Sequence, residues 1–137
     1  MDTQVSLQVG IDWADQKHDY CLCAIPINAS TTTTTQPLES GVISSSAQDM
    51  HQWIQQLRKR FPSGIFEVCL ELSKGPLVHL LCEYDFIRIY PLNPISANRF
   101  RESLYPSLKK DDATDAALLL EILQKHHQHL GAIRGHR

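Results

Sequence analysis

The sequence lacks the features that would assign it directly to a membrane, to an export route or to nucleic acid. No apolar run approaches the ~20 residues that a membrane-spanning helix requires, and the first residues do not form the basic and apolar regions of a signal peptide. The formal net charge is only −2 over 137 residues, so no strong overall field attracts nucleic acid. We therefore expect a cytoplasmic protein without membrane contact, in which any contact with nucleic acid depends on local basic segments or metal ions.

Cysteine motifs for metal or redox chemistry are missing as well. Cys21 and Cys23 lie two residues apart, and Cys69 and Cys82 stand alone, so none of them has the C-x-x-C spacing of a zinc or thioredoxin-like site. We expect buried, reduced thiols, which agrees with a cytoplasmic location.

The hydrophobic pattern predicts alternating strands and helices in one domain that spans residues 1–137. A chain of this length with 42% hydrophobic residues can bury one sizeable core. Residues 5–12 alternate apolar and polar side chains, the period of a strand with one polar face, on which Gly10 should leave open space beside Asp12. The predicted strands are 5–12, 19–25, 41–44, 65–71 and 86–90, the last stopped by Pro91, and the predicted helices begin near Ser46, Ser73 and Asp112.

The order of these elements predicts an α/β fold of the ribonuclease H-like plan. Three consecutive strands joined by short loops favour an antiparallel meander, and later strands that are each separated by a helix favour parallel additions to the same sheet. We therefore expect a mixed five-stranded sheet, with three antiparallel strands and then parallel strands, flanked by helices. Thr31 to Thr35 predict an exposed loop, and Arg58 to Arg60 predict a solvated helix face.

The last helix begins with acidic residues on its apolar side. At 100° per residue from Asp112, the apolar residues lie within about 80°, and Asp115 lies about 60° away. Acids at a helix start usually cap it or favour its dipole, which suits Asp111. Asp112 and Asp115 fit that explanation less well, because inward carboxylates close together require protons or a cation. The apolar residues on this face are Ala116, Leu119, Leu120, Ile122, Leu123 and Leu130.

Together with acids at two strand ends, this helix suggests a metal centre. Asp12 ends the first predicted strand and Glu71 ends the fourth, so both can meet the helix start at one edge of the sheet. Four carboxylates are the hard oxygen ligands that Mg²⁺ or Mn²⁺ prefers. A pair of such ions serves many nucleases and polymerases in cutting and joining phosphodiesters.

Several segments resemble a known family. They are Val9-Gly10-Ile11-Asp12, Leu70-Glu71, Tyr90-Pro91-Leu92-Asn93-Pro94 and Lys110-Asp111-Asp112-Ala113-Thr114-Asp115-Ala116. Over nearly the whole chain, the sequence is similar to the N-terminal RuvC-like domain of the DEDD-type insertion-sequence transposases, the "one-ten" group that includes the Piv and MooV invertases. The resemblance implies a bacterial DNA transposase or recombinase. It also implies that Asp12, Glu71, Asp112 and Asp115 are the catalytic tetrad, which binds two Mg²⁺ or Mn²⁺ ions, and that Lys110 is the lysine preceding the last two acids.

The resemblance has further implications and two departures. Family members are longer, so residues 1–137 are expected to be an N-terminal fragment that cannot complete recombination alone. The expected partners are DNA, a structured bridge RNA, a C-terminal domain that carries a nucleophilic serine, and further copies of the full-length chain. Asp111 stands where the family often has a small hydroxyl residue. The sequence after Glu71 departs from the usual Glu-Ala-Thr-Gly, and Glu67 on the same strand face is an alternative ligand.

Local basic residues are the candidates for nucleic-acid contact. Arg99, Arg101, Lys109 and Lys110 flank the acidic helix in sequence and can position phosphates without reading bases. A charged, exposed linker explains the two arginines equally well.

Two other classes of function fit parts of the sequence. The fold can serve as a non-catalytic nucleic-acid-binding or assembly module, in which the acids only cap and solvate. An actin-like or sugar-kinase ATPase half also begins with a strand that ends in Gly-Ile-Asp. Those ATPases follow that strand with a glycine-rich phosphate loop, and residues 13–17 contain no glycine, which disfavours the ATPase.

Overall fold

A six-stranded sheet organises the part of the chain that the computed structural model describes. That part comprises residues 5–12, 14, 16–25, 39–71, 75–93, 95, 98–99, 102, 112–126 and 133–134; side chains are excluded at 75–76, 112–115, 125–126 and 133–134. The strands are β1 (Val5–Asp12), β2 (Lys17–Ala24), β3 (Glu39–Ser44), β4 (Ile65–Glu71), β5 (Ile87–Leu92) and β6 (Ile133–Arg134). The helices are α1 (Ala47–Arg60), α2 (Gly75–Leu81) and α3 (Asp112–His126). No helix in these ranges is long and apolar enough to cross a membrane.

The strand order confirms the predicted mixed sheet. The order is β3-β2-β1-β4-β5-β6, in which β2 pairs antiparallel with both β1 and β3, and β4 pairs parallel with both β1 and β5. The short strand β6 pairs antiparallel with β5 and was not expected, because two residues carry no readable period.

The two faces of the sheet pack against different helices. One face forms the larger core with α1 and α2, in which Leu7, Val9 and Ile11 of β1 are buried. The other face packs against α3, whose buried residues contact cysteines of β2 and β4. The strand β1 is therefore covered on both sides, and its predicted polar face lies under α3.

The helix α1 begins and ends with identifiable contacts. The hydroxyl of Ser46 accepts a hydrogen bond of 3.1 Å from the backbone N–H of Asp49, which confirms the predicted cap. At the other end, the prediction of a solvated face over Arg58 to Arg60 is wrong for Arg58. Its guanidinium donates to the carbonyl oxygens of Phe61 (3.3 Å) and Gly64 (2.8 Å).

Two further expectations need correction. The strand β5 does not stop before Pro91, because Pro91 pairs with Leu70 and the strand continues to Leu92. A proline is tolerated there because, among the described residues, β6 pairs with β5 at Arg88 and Ile89, near the start of the strand. Gly10 does not leave open space, because the backbone of α3 occupies it. The Thr31–Thr35 tract lies outside the described residues.

Candidate metal and nucleic-acid site

The sheet register brings three acidic residues to one edge, on the face that packs against α3. Asp12 at the end of β1 lies directly opposite Asp19 of β2. On the other side of β1, Ile11 pairs with Leu70, and the next residues along the two parallel strands are Asp12 and Glu71. Residues paired across neighbouring strands project from the same face. Asp19, Asp12 and Glu71 therefore follow one another across β2, β1 and β4.

The side chains of this edge are partly described. Asp12, Asp19 and Glu71 are each half-buried. Asp112 and Asp115 lie in the first turn of α3, and their side chains are outside the described set. Among the described side chains, no three His, Cys, Asp or Glu converge on one metal position. A complete metal centre at this edge would therefore need the acids of α3.

The helix α3 lies directly on the strand that carries Asp12. A β-carbon built on Gly10 would lie 2.4 Å from the carbonyl oxygen of Ala116 and 2.6 Å from the backbone nitrogen of Leu120. On either side of this contact, Ala116 and Leu120 pack against Cys21 and Cys23 of β2, while other α3 residues pack against β4 and β5. Asp112 begins the helix one turn before Ala116. The contact with Gly10 thus fixes α3 close to the acids of the sheet edge.

The alternative ligand Glu67 is already engaged. It is 3% exposed, and its Oε1 accepts a hydrogen bond of 3.0 Å from Nε2 of Gln8. Its Oε2 accepts a 3.0 Å hydrogen bond from the hydroxyl of Tyr90 and lies 3.5 Å from an Arg88 guanidinium nitrogen. Burial raises the pKa of Tyr90; a hydrogen bond with Arg88 opposes this shift, and the charge and hydrogen bond of Glu67 add to it. Both oxygens of Glu67 therefore have protein partners.

The thiols beneath α3 are not suited to metal binding or nucleophilic attack. Cys21, Cys23 and Cys69 are buried and form no disulfide. Burial, with a smaller contribution from the Glu71 carboxylate, raises the pKa of Cys69 to about 12. Burial also raises the pKa values of Cys21 and Cys23. Because the thiolate is the reactive form, these side chains act as packing groups at neutral pH.

The four basic residues proposed to contact nucleic acid precede α3 in sequence. Arg99 is exposed. Arg101, Lys109 and Lys110 lie outside the described residues, so their surroundings stay a prediction.

Sequence reasoning missed Asp19 and the partners of Glu67. The position of Asp19 depends on the pairing of β1 with β2, and the six residues between Asp12 and Asp19 do not reveal that register. The partners of Glu67 come from β1 and β5, two strands that are distant from it in sequence. The signal for Gln8 was the alternation of apolar and polar residues over 5–12, which predicts a strand with one polar face.

Comparison with solved structures identifies the fold. The structure of Thermus thermophilus RuvC superimposes with a TM-score of 0.62 at 11% sequence identity, covering 93% of this chain and 99% of that one. The same protein in complex with a Holliday junction substrate gives the same TM-score, identity and coverage. The fold is therefore RuvC-like, within the ribonuclease H class.

Sequence comparison identifies the family. A Streptomyces coelicolor protein named as the mini-circle transposase for IS117 is 28% identical over 117 residues, which are 84% of this chain. The match covers 26% of that relative, so the chain spans about a quarter of its length. The profile of the IS110-type DEDD transposases, described as "Transposase", matches residues 9–136. That match takes in almost the whole chain, which therefore belongs to the IS110-type DEDD transposase family.

Proposed function

We propose that this chain is the catalytic domain of a metal-dependent transposase, which cuts and rejoins DNA strands with Asp12, Glu71, Asp112 and Asp115. The observation that carries the proposal is the sheet edge itself. Asp12 and Glu71 end neighbouring parallel strands on the face that α3 covers, and α3 begins with the other two acids. These four positions are the ones the family resemblance assigns.

Glu71 is the better choice for the glutamate of the tetrad. Glu67 lies four residues earlier on the same strand face, deeper under α3, where Gln8, Tyr90 and Arg88 already engage both its oxygens. A metal ion would have to displace these partners. Glu71 is half-buried at the strand end, next to Asp12.

The donor set fits hard divalent cations. Four carboxylates suit Mg²⁺ or Mn²⁺, and like charges at one edge are tolerated more easily when cations lie between them. A pair of bound ions would activate the attacking oxygen and stabilise the leaving oxygen of a phosphodiester. The chain's own part is to hold the carboxylates in fixed positions on a strand end, a neighbouring strand end and a helix start. Packing of α3 against the sheet excludes water from below the site.

For the substrate of the full protein, the comparison with RuvC supports DNA, and the other partners are proposed from the family resemblance. Binding of a Holliday junction by RuvC supports DNA as the substrate of a domain with this fold. We propose that Arg99, Arg101, Lys109 and Lys110 contact phosphates, with a bridge RNA, a C-terminal domain and further copies of the chain completing the assembly. The domain alone is then expected to bind nucleic acid weakly and in a salt-sensitive manner.

The test is a Mn²⁺ titration of the domain, followed by thermal unfolding. We expect millimolar Mn²⁺ to raise the Tm of the wild-type chain, since an ion that binds only the folded state stabilises it. Asp12→Asn should remove this increase while leaving the chain folded. Asp85→Asn is the matched control, because Asp85 is exposed in the turn before β5, and it should respond as wild type does.

The full-length protein provides the second arm of the test. Asp12→Asn should abolish strand exchange there, and Asp85→Asn should retain it. A wild-type Tm that does not respond to Mn²⁺, or strand exchange that survives Asp12→Asn, would contradict the proposal. The first result would favour a non-catalytic binding module.

A further inference from the structure

Gly10 is the point at which the backbones of α3 and β1 touch. The atoms that a β-carbon at this position would meet, 2.4 and 2.6 Å away, are the carbonyl oxygen of Ala116 and the nitrogen of Leu120. Both belong to the helix backbone, so no change of rotamer can make room. A side chain at position 10 can be accommodated only if the backbones of α3 and β1 move apart.

Gly41 provides a contrast within the same sheet. A β-carbon at Gly41 would meet only the ring of Tyr20, with 2.9 Å to its hydroxyl oxygen and 3.1 Å to Cζ. These atoms are the far end of a flexible side chain and can turn aside. Gly41 lies on β3, paired with Tyr20, on the face that α3 does not cover. Of these two glycines, Gly10 limits the placement of a helix and Gly41 does not.

The contact at Gly10 lies close to an acidic residue on each of the two elements, Asp12 on β1 and Asp112 on α3. Asp12 follows Gly10 by two residues on the same strand face, a distance of about 6.6 Å along a strand. Asp112 precedes Ala116 by four residues on the same helix face, a distance of about 6 Å along a helix. The two steps are nearly equal. The end of β1 and the first turn of α3 therefore both lie a short distance from the Gly10 contact.

We propose that Gly10 is a positioning residue of the metal centre, because its missing side chain lets α3 approach closely enough for Asp112 and Asp115 to share ions with Asp12 and Glu71. This inference rests on the proposed function. Its cause is steric: raising the 2.4 Å contact to 3.0 Å needs a displacement of about 0.6 Å. Metal–ligand distances hold within about 0.2 Å, so a displacement of this size weakens binding by ligands on the two sides.

The test compares Gly10→Ala with Gly41→Ala in the same chain. For each protein we would record the Tm without metal and the apparent Mn²⁺ affinity from Tm titration. We expect Gly10→Ala to lower the apparent Mn²⁺ affinity at least tenfold while a folded transition remains. Gly41→Ala should keep the wild-type affinity, even if its Tm falls.

A second variant keeps the test decisive if Gly10→Ala does not fold. Cys21 is paired with Gly10 and packs beneath Ala116 and Leu120, so Cys21→Val adds bulk under the same turn through a side chain. It should give a smaller loss of Mn²⁺ affinity in the same direction. A crystal structure of either variant should show α3 displaced from β1.

The outcomes separate this inference from the proposed function. If the wild-type chain does not respond to Mn²⁺, both are overturned. If the wild type responds and the folded variants bind Mn²⁺ equally well, the proposed function stands and the role of Gly10 is overturned. A lower Tm with unchanged Mn²⁺ affinity would likewise reduce Gly10 to a packing residue.

Discussion

Glu67 and Glu71 lie four residues apart on one face of β4, yet their surroundings give them different tasks. Glu67 is buried with the cation Arg88 and with two hydrogen-bond donors, so its charge is compensated inside the protein. Glu71 lies at the strand end beside Asp12. A buried charge that loses its partner is costly, whereas one of several neighbouring carboxylates can be neutralised with little loss or with a gain.

We predict opposite responses to the same substitution at these two positions. Glu67→Gln leaves Arg88 without its carboxylate and should lower the free energy of unfolding by about 3 kcal/mol, while the Mn²⁺-dependent rise in Tm persists. Glu71→Gln should leave metal-free stability unchanged or raised and should remove the Mn²⁺ response. Urea unfolding and Mn²⁺ titration of the two variants measure both effects. If Glu67→Gln alone loses the metal response, the glutamate of the tetrad must be reassigned to Glu67.

At the scale of the elements, Arg58 connects the end of α1 to Phe66 of β4 and to Phe86 in the turn before β5. Its guanidinium lies 4.2 Å from the ring centroid of Phe86 and 5.3 Å from that of Phe66, in addition to its bonds to two carbonyl oxygens beyond the helix. The planar guanidinium can stack and donate at the same time, which an ammonium group cannot. Arg58 therefore donates hydrogen bonds to carbonyl oxygens just after α1 and also packs against two aromatic rings.

For this element contact, we predict that Arg58→Lys is not conservative. It keeps the charge but loses the stacking and the paired donors, so the free energy of unfolding should fall by roughly 1 to 2 kcal/mol. Lys59→Ala serves as the control, because Lys59 is exposed, and it should change stability by less than about 0.5 kcal/mol. Chemical denaturation of the three proteins measures the differences. Equal stability of Arg58→Lys and wild type would show that the ring contacts contribute little.

The same elements show what the sequence could predict. The bounds of β4 were predicted correctly, because residues 65–71 are mostly apolar and follow the turn-forming residues Pro62, Ser63 and Gly64. The buried side of α3 was predicted too narrowly, since Leu118 is 1% exposed although it lies about 120° from Asp112. A helix period reveals which residues share a face, but the width of the covered face depends on the strands opposite. The sequence predicted that Asp12 and Glu71 end their strands. It did not predict the contact at Gly10, because that contact depends on how α3 packs on β1.

At the scale of the whole molecule, buried ionisable groups limit the pH range of stability. His18 is 2% exposed, and its Nδ1 accepts a hydrogen bond of 3.1 Å from the backbone N–H of Ala14. Burial lowers the pKa of His18, with a smaller opposing contribution from Asp19. The pKa of Cys69 is raised, to about 12. The folded state therefore resists protonation of the imidazole and ionisation of the thiol.

We predict that stability falls on both sides of neutral pH. The contribution of His18 is complete above its ordinary pKa of 6.5 and is lost as pH falls from there toward its lowered pKa, because only the unfolded chain takes up the proton. The contribution of Cys69 is complete below the ordinary pKa of 9.0 and is lost between there and about 12, because the unfolded chain ionises first. Measurements of Tm against pH should show a shallower acid slope for His18→Asn and a shallower alkaline slope for Cys69→Ala. Unchanged slopes would assign the pH dependence to other groups.

The reactivity of the cysteines beneath α3 can be used to measure how often this helix separates from the sheet. Cys21, Cys23 and Cys69 are covered by α3, while Cys82 lies on the far side of the sheet with the other core. An alkylating reagent reaches a buried thiol only when the structure above it separates. In a chain whose Cys82 has been replaced, the labelling rate would therefore time the lifting of α3 from the strands, without any added probe.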